Sequence, residues 1–600
     1  MKKRIIACLM AVVMLIPVCF VSVNAEEATT SVLTECSGNC DVTPTIIVHG
    51  LGQSTVAKID DDGNYIYDEN GELEEVWPLS VDAMPLVKKL LWPIIKTLFT
   101  QKDYLSEPLG EAVLDVFKYN ICDEEGKENE NVSVVKYVKS VAACTEEEKD
   151  ELYDIVPLRN YCELAGTTED HLYYFMYNSF GNSCEIAEEF IEYVRMVKAE
   201  TGHDKVNIVP ISLGGTVMNA AMEYYRDELA GSVDKIVYIV PATNGSKLIS
   251  DLYQHKFCTD DESLYLTMFP NLIEGWTGYL VNIAVRILKN DVLVSILNNT
   301  IDTLVDGFLD KCTNMWALTS YEDWDAIMAC HPDFAEKYPV IYEQIVKYHE
   351  AQGNRDANLQ YLIDNGTKVY DIVDTDYPLY CIVPSWTEYN ADGIIQIDST
   401  SLGCVSCPVG DTLDEADYEG KTQVCTDETH NHINQANTVD ASYGFAPETT
   451  WYLYGQDHEG TARDDIILNL AMDILAGNVE DIYSNPEYPQ FMYGRETKKM
   501  RNRLKDFENM KANGSLSDEQ IAIIQPAADL CYALLANNLA TTEEAENADN
   551  ALIDALVKAG LMEADETSAF EVWAEDFFKK QSERLYEKYG NRGFCELLRK

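Results

Sequence analysis

Residues 206–217 read Val-Asn-Ile-Val-Pro-Ile-Ser-Leu-Gly-Gly-Thr-Val, and this segment is the strongest indication of the fold class. The segment Val206–Val209, with β-branched residues at three of its four positions, predicts a short buried strand. A helix is predicted from Thr216, and Ser212 lies in the turn between the two, followed by a glycine pair. A buried strand that turns directly into a helix is the repeating unit of a parallel sheet. We therefore expect an α/β protein in which Ser212 stands at the edge of that sheet.

The position of Ser212 suggests a chemical role. A sharp strand-to-helix turn pushes a serine hydroxyl out of the sheet edge and directs the next backbone N–H, here that of Leu213, toward a developing oxyanion. The dipole at the start of a helix also favours negative charge there. Pro210 stands where the G-x-S-x-G pattern has its first glycine, so that pattern is broken. Ser212 is our candidate nucleophile; the alternative is a serine that caps the helix.

The segment His49-Gly50-Leu51-Gly52-Gln53 follows another predicted strand, Thr45–Val48. A glycine-bearing loop in this place lets backbone N–H groups point into a site, where they stabilise a developing oxyanion. The alternative interpretation is a simple tight turn.

Strands and helices alternate along much of the chain, which favours a parallel α/β sheet. Between about 246 and 370 the alternation stops in a helical, unusually apolar stretch, and after Asn485 the sequence is helical and polar. The remaining predicted strands are Leu172–Met176, Lys235–Val240, Leu379–Val383 and Thr450–Tyr454, and the predicted helices are Cys184–Lys198, Thr216–Leu229 and Ala462–Leu475.

Four segments together resemble secreted bacterial α/β-hydrolases of the lipase/esterase group. TIIVHGLGQS (45–54) resembles the lipase oxyanion segment, and TGHDKVNIVPISLGGTV (201–217) resembles the nucleophile segment. NADGIIQIDSTSLG (390–403) resembles the acid-bearing loop. TTWYLYGQDHEGTARDDIILNLAMDIL (449–475) resembles the last strand, the catalytic histidine loop and the final helix. The resemblance covers about 25–480 discontinuously and leaves 246–370 and the C-terminal tail without a motif.

The resemblance implies a Ser-acid-His triad in that chain order. It makes Ser212 the nucleophile, Asp392 the acid and His458 the base, with the backbone N–H groups of Leu51 and Leu213 as the oxyanion hole. For the base, Asn431-His432 is a weaker alternative. The alternative acids are Asp398, followed by Asp374 and Asp376.

The chain has 45 basic and 102 acidic residues, a net charge of −57 and a pI near 4.3. Such a balance argues against nucleic-acid binding and against electrostatic docking of the chain on anionic lipid. Residues 1–25 combine a basic start, an apolar run and a Val-Asn-Ala cleavage pattern, which predicts a signal peptide and a secreted, extracellular protein. After signal cleavage we expect no transmembrane span.

An extracellular location permits disulfides. The local pairs expected are Cys36 with Cys40, and Cys404 with Cys407 or Cys425. A zinc site at Cys404 and Cys407 would need further ligands such as Cys425, His430 and His432. Ester hydrolysis by a triad needs no cofactor, and the resemblance allows a structural calcium ion.

We expect a signal peptide (1–25), an α/β-hydrolase domain (26–480) with a helical cap or lid (246–370), and a helical C-terminal region (481–600). The expected function is hydrolysis of carboxylic esters, with the apolar cap favouring lipid or long-acyl substrates. Two alternatives remain open. One is a hydrolase or acyltransferase on a peptide, thioester or carbohydrate ester, because the same triad serves each. The other is a non-catalytic binding protein with the hydrolase fold.

Overall fold

The computed structural model describes residues 42–78, 83–156, 169–259, 262–273, 275–427, 429, 431–495, 497–562 and 566–592. The predicted signal peptide, the Cys36–Cys40 pair and His430 lie outside these residues.

A seven-stranded sheet in which every strand pair is parallel forms the centre of the molecule. Its strands are β1 (Thr45–Val48), β2 (Leu172–Phe175), β3 (Val206–Pro210), β4 (Val233–Ile239), β5 (Lys368–Thr375), β6 (Thr450–Tyr454) and β7 (Phe491–Tyr493). Their order across the sheet is β7-β6-β5-β4-β3-β1-β2. The strands are mostly buried, because helices cover the faces of the sheet. The prediction of a parallel α/β sheet flanked by helices is confirmed.

The strand order reverses between β1 and β3. The chain leaves β1 toward β2 on one side, whereas β3 to β7 extend the sheet on the other. Crossovers that diverge in this way leave a crevice at the carboxyl ends of the two strands, and such crevices bind ligands. The loop His49–Gln53 follows β1 and Ser212 follows β3, so both lie at this reversal point.

Helices make up most of the remaining described structure. In chain order they are α1 (Ala83–Thr100), α2 (Ser106–Phe117), α3 (Glu146–Ile155), α4 (Ser183–Thr201), α5 (Gly214–Leu229), α6 (Lys247–Tyr253), α7 (Met268–Leu272), α8 (Trp276–Val285), α9 (Asn290–Gly307), α10 (Thr313–Trp316), α11 (Trp324–Cys330), α12 (Phe334–Lys337), α13 (Pro339–Gly353), α14 (Arg355–Asp364), α15 (Ile397–Thr400), α16 (Asp465–Ala476), α17 (Lys498–Ala512), α18 (Asp518–Leu535), α19 (Thr542–Lys558) and α20 (Glu566–Tyr589).

Two small antiparallel sheets accompany the central one. One consists of Glu75–Trp77, Val56–Lys58 and Val132–Val134 in that order, and the other pairs Val405–Ser406 with Val439–Asp440.

The sheet differs from the sequence prediction at two strands. The predicted strand Leu379–Val383 is a buried loop, and the strand between β4 and β6 is β5, which carries Asp371 and Asp374 in its interior. The second difference is β7, which pairs with β6 and lies inside the predicted helical C-terminal region 481–600.

The helices α6 to α14 fill the predicted insertion between β4 and β5. Asn290–Lys311 is the one described stretch long and apolar enough to cross a membrane by length and composition, and 56% of its apolar 18-residue window is buried inside the protein. Its helix α9 lies so close to α2 that a Cβ on Gly110 would be 2.7 Å from the Thr303 side chain. We interpret α9 as a core helix of the cap.

The C-terminal helix α20 covers part of this cap. The rings of Trp276 on α8 and Phe578 on α20 stack with centroids 5.5 Å apart. Arg286 Nη1 donates a hydrogen bond to the carbonyl of Gly590 at 2.7 Å, and the Ser582 hydroxyl donates one to the carbonyl of Tyr265 at 3.0 Å. The predicted cap and the C-terminal helix therefore contact each other, although the contacting residues lie about 300 positions apart in the chain. By contrast, α17, α18 and α19 share a separate hydrophobic core.

Candidate active site

Ser212 stands in a strained turn between β3 and α5. Its φ is +51°, in the left-handed region that residues with a Cβ seldom adopt. Hydrogen bonds to the neighbouring strand hold this conformation: the Ser212 N–H donates to the carbonyl of Ile239 at 3.0 Å, and the N–H of Ala242 donates to the Ser212 carbonyl at 2.9 Å. Strain of this kind persists where the surroundings fix the backbone, and it is concentrated at functional sites.

The glycine pair allows this turn to sit against two strands. A Cβ on Gly214 would lie 2.4 Å from the carbonyl oxygen of Val48, and one on Gly215 would lie 3.0 Å from the backbone nitrogen of Ala242. Any side chain at Gly214 would push α5 away from β1. The pair is therefore required for the close approach that places Ser212 beside the loop after β1.

His458 lies beside Ser212, in the loop between β6 and α16. Its Nε2 is 2.8 Å from the Ser212 Oγ, and its Nδ1 is 2.6 Å from Oδ2 of Asp392. A carboxylate can only accept, so Nδ1 carries the proton and Nε2 is left to accept the proton of the Ser212 hydroxyl. The structure thus brings Ser212, His458 and Asp392 into one hydrogen-bonded chain.

Asp392 is fully buried and held in place by its own loop. Its Oδ1 accepts hydrogen bonds from the backbone N–H groups of Ile394 at 2.9 Å and Ile395 at 2.7 Å. These two donors occupy one carboxylate oxygen and leave Oδ2 facing His458. The acid is therefore oriented by backbone groups that a change of side chain would not remove.

The pKa of His458 reflects two opposed effects. Burial disfavours the imidazolium and lowers the pKa, whereas the charge of Asp392 and the hydrogen bond to it raise the pKa. The raising effects prevail, and the pKa of His458 lies above its ordinary value of 6.5. An imidazole in this setting is a stronger base than a solvent-exposed one.

Two backbone N–H groups close to Ser212 have no acceptor in the described part of the chain. They belong to Leu51, in the loop after β1, and to Leu213, directly after the serine. Gly50, in the same loop as Leu51, lies so close to the serine that a Cβ on it would be 3.0 Å from the Ser212 Cβ. Both N–H groups thus belong to the segments that meet at Ser212.

The loop after β1 is fixed by His49, Tyr177 and Gln53. His49 is buried and its pKa falls to about 4, mainly because burial disfavours its charged form. The neutral ring bonds the Gly50 carbonyl through Nδ1 (2.6 Å) and accepts the N–H of Tyr177 at Nε2 (3.2 Å). The Tyr177 hydroxyl donates to the His49 carbonyl at 2.7 Å, and the two rings stack 4.1 Å apart. The Gln53 side chain accepts the Gly50 N–H at 2.7 Å.

Sequence reasoning did not identify Tyr177 as a positioning residue. Tyr177 comes two residues after the end of β2. An aromatic residue with a hydroxyl, placed just past a buried strand at the same edge of the sheet as Ser212, is the signal that could have indicated it.

The alternative residues lie elsewhere. Asp398 is partly buried on α15, and its Oδ1 has no hydrogen-bond partner among the described residues. Asp374 on β5 accepts the Thr461 hydroxyl at 2.5 Å, and burial raises its pKa well above the usual range. Asp376 is half-buried and hydrogen-bonded to Tyr454. The His432 Nδ1 lies 2.8 Å from Oε1 of Gln490 and takes no part in the Ser212 chain.

The described residues contain no group of three or more His, Cys, Asp or Glu side chains placed to hold a metal ion. The predicted disulfide of Cys404 is not formed: Cys404 and Cys407 both carry free thiols. Their Sγ atoms lie 4.0 Å from the carbonyl of Ile397 and 3.7 Å from that of Thr438, respectively. The two thiols are directed to different segments, although the spacing of the cysteines suggested that they would pair.

Comparison with known proteins adds little to this description. No family model and no curated protein matches the chain. Among solved structures, "The crystal structure of Tle4-Tli4 complex" matches with a TM-score of 0.33 and 12% sequence identity, over 73% of this chain and 98% of that one. A TM-score of 0.33 is too low to indicate a shared fold.

Proposed function

We propose that this protein is a secreted serine hydrolase that cleaves carboxylic esters through an acyl-enzyme. The observation that carries the proposal is the continuous hydrogen-bonded chain from the Ser212 Oγ through His458 to Asp392. Its members come from three different loops at the carboxyl edge of one parallel sheet, in the chain order Ser, acid, His. This arrangement supports an α/β-hydrolase fold.

In the proposed mechanism Ser212 attacks the ester carbonyl while His458 Nε2 takes its proton. Asp392 keeps the proton of the free imidazole on Nδ1 and stabilises the imidazolium that forms. His458 then donates its new proton to the departing alcohol. A water molecule activated by the same histidine releases the acyl group and regenerates the Ser212 hydroxyl.

The backbone N–H groups of Leu51 and Leu213 would bind the oxyanion of the tetrahedral intermediate. Preorganised donors of this kind stabilise the charge that develops in the transition state, and each is worth about 10²–10³ in rate. The fixed loop around His49 and Tyr177 supports this role, because it keeps the Leu51 N–H from moving away from Ser212.

We further propose that the preferred substrates are lipid or long-acyl esters. Support comes from the strongly apolar helices of the cap between β4 and β5, which would offer a long acyl chain more contact than acetate needs. Each buried methylene contributes about 0.8 kcal/mol, so kcat/KM should rise with chain length until the acyl pocket is full.

The test is hydrolysis of p-nitrophenyl esters from acetate to long-chain acyl groups, with Ser212→Ala as the inactive variant. A fluorophosphonate probe should also label the wild type on the peptide containing Ser212 and should not label the variant. Hydrolysis that persists in Ser212→Ala would contradict the assignment of Ser212 as the nucleophile. Labelling without ester hydrolysis would instead indicate a different acyl substrate, such as a peptide or thioester.

A further inference from the structure

Helix α1 carries apolar residues on two opposite faces. One face packs into the protein: Leu90 is buried, and Ile94 lies with it against a small hydrophobic cluster. The partners in that cluster come from α2, the residue before it, and α9, and they are Leu105, Leu109, Ala112, Val292 and Ile296. One apolar face is enough to dock a helix on a globular protein. The second face therefore needs another explanation.

The second face is exposed to solvent. Trp92 and Phe99 lie on it with 69% and 86% of their surface exposed, and Leu91 beside them is 47% exposed. Residues 88, 92, 95 and 99 follow one another at helical spacing, so their side chains share this face. Ile287, which is 44% exposed, lies near the end of α1, where its carbonyl accepts a hydrogen bond from the Gln101 side chain.

Basic residues surround the same surface. Residues 83–102 contain four lysines and no acidic residue, in a chain whose acidic residues outnumber its basic ones by 102 to 45. Lys88 and Lys102 are exposed near the two ends of α1. Lys96 lies over the Tyr104 ring at 3.6 Å from its centroid, and Lys89 pairs with Glu111 at 3.3 Å.

We propose that the exposed face of α1, with Ile287 beside it, docks this protein on an anionic phospholipid surface. Trp92 and Phe99 insert between the head groups while Lys88 and Lys102 lie at the phosphates. Aromatic residues suit this depth because their rings tolerate the membrane–water boundary. Lysines suit it because their aliphatic stems cover apolar surface while the ammonium stays in the polar layer.

The net charge of −57 does not oppose this contact at physiological salt. Charges farther from the bilayer than a Debye length, about 8 Å at that ionic strength, are largely screened. The residues that touch the head groups therefore decide the sign of the interaction, and those of α1 are basic. The inference depends on neither the chemistry of Ser212 nor the substrate.

A second copy of the chain is a less favourable partner for the same face. A two-fold contact would place the α1 lysines of one copy against those of the other, and like charges oppose such a contact. An anionic bilayer instead offers phosphates to the lysines and hydrocarbon to Trp92 and Phe99. The charge pattern thus favours lipid over self-association.

The test is co-sedimentation of the full chain, as the Ser212→Ala protein so that no hydrolysis alters the lipid, with vesicles of phosphatidylcholine with or without phosphatidylglycerol. We expect binding to the anionic vesicles that weakens as salt rises. Trp92→Glu and Phe99→Glu should each lower the partition coefficient about tenfold or more, since each removes a large inserted side chain. Lys88→Gln and Lys102→Gln should each lower it about fivefold.

Leu539→Glu is the matched control, because Leu539 is 56% exposed on another part of the surface and should leave binding unchanged. All these sites are exposed, so the melting temperature should not move and loss of binding cannot be ascribed to unfolding. Absence of binding to anionic vesicles would overturn the proposal, as would equal binding by wild type and Phe99→Glu. A dimer in solution that Phe99→Glu dissociates, without vesicle binding, would assign the face to self-association instead.

Discussion

His458 is joined to Asp392 by two hydrogen bonds, one from the ring and one from the backbone. Nδ1 lies 2.6 Å from Oδ2, and the backbone N–H of His458 donates to the Asp392 carbonyl at 2.8 Å. The second contact ties the loop after β6 to the loop after β5, whatever the side chain at position 392. The position of the base is thus partly independent of the acid that polarises it.

Asp392→Asn should therefore keep the fold but lose most activity. An asparagine oxygen can still accept the N–H groups of Ile394 and Ile395, but its amide favours the wrong tautomer of His458, and kcat should fall about 10⁴-fold. Steady-state hydrolysis of a p-nitrophenyl ester measures the loss, and thermal unfolding checks the fold.

Asp398→Asn is the matched control for the acid. Asp398 is partly buried, its Oδ1 has no hydrogen-bond partner among the described residues, and it takes no part in the Ser212–His458–Asp392 chain. This substitution should leave kcat within about twofold of wild type, because distant substitutions seldom couple. Full activity in Asp392→Asn together with inactivity in Asp398→Asn would reverse our assignment.

The pH profile should report the raised pKa of His458. The histidine must be neutral to accept the Ser212 proton, so kcat/KM should rise with pH as the imidazolium loses its proton. The midpoint of this acidic limb should lie above 6.5.

The residual activity of Asp392→Asn should show a lower midpoint than wild type, because the charge that raises the pKa is gone while the lowering effect of burial remains. Glu459→Gln should move the midpoint down less, since the Glu459 charge is a smaller raising effect. If the pH midpoint of the acidic limb is the same in Asp392→Asn as in wild type, a group other than His458 is responsible for that limb.

The elements predicted well were those with a continuous local pattern. β1, β3 and β6 are apolar runs that end at turn residues, and each was predicted within one residue of its observed bounds. Strand β5 was missed because Asp371 and Asp374 interrupt its apolar run. The apolar segment 379–383 between two prolines was mistaken for it, because the sequence indicates burial more readily than pairing.

The contacts that hold the candidate site together are non-local, and this limited what the sequence could predict. Ser212 has a recognisable turn, but the choice between His458 and His432 depends on which loop the parallel sheet brings next to β3. The stacking of Trp276 on Phe578 likewise joins segments about 300 residues apart. Neither residue has a neighbouring pattern that identifies the other.

Gly50→Ala should impair catalysis much more than stability. The φ of Gly50 is not positive, so alanine is compatible with its backbone. Its Cβ would lie 3.0 Å from the Ser212 Cβ and 3.4 Å from the Oγ, and either the serine or the loop must shift. The shift needed is a few tenths of an ångström. Since a misplacement of about 1 Å at the reacting atoms costs about a hundredfold, kcat should fall about tenfold.

Gly231→Ala supplies the comparison for Gly50→Ala. A Cβ at Gly231 would meet only the Glu228 carbonyl, at 4.0 Å, so both kcat and the melting temperature should stay near wild type. If the two variants have equal activity, the space between the loop after β1 and Ser212 is not critical.

Cys122 and Cys312 should form the disulfide of the oxidised protein. Both thiols are buried, and the neighbouring Cys312 raises the pKa of the Cys122 thiol well above its usual range. During refolding in a mixture of reduced and oxidised glutathione, the two thiols lose two protons and two electrons as the disulfide forms. Oxidised glutathione takes up both and becomes two molecules of reduced glutathione. Peptide mapping without reductant should then show Cys122 linked to Cys312, whereas Cys404 and Cys407 stay unlinked. Closing so long a loop should stabilise the fold by about 2–5 kcal/mol. Cys312→Ser should abolish that gain, and a Cys404–Cys407 link in the map would contradict the pairing argued here.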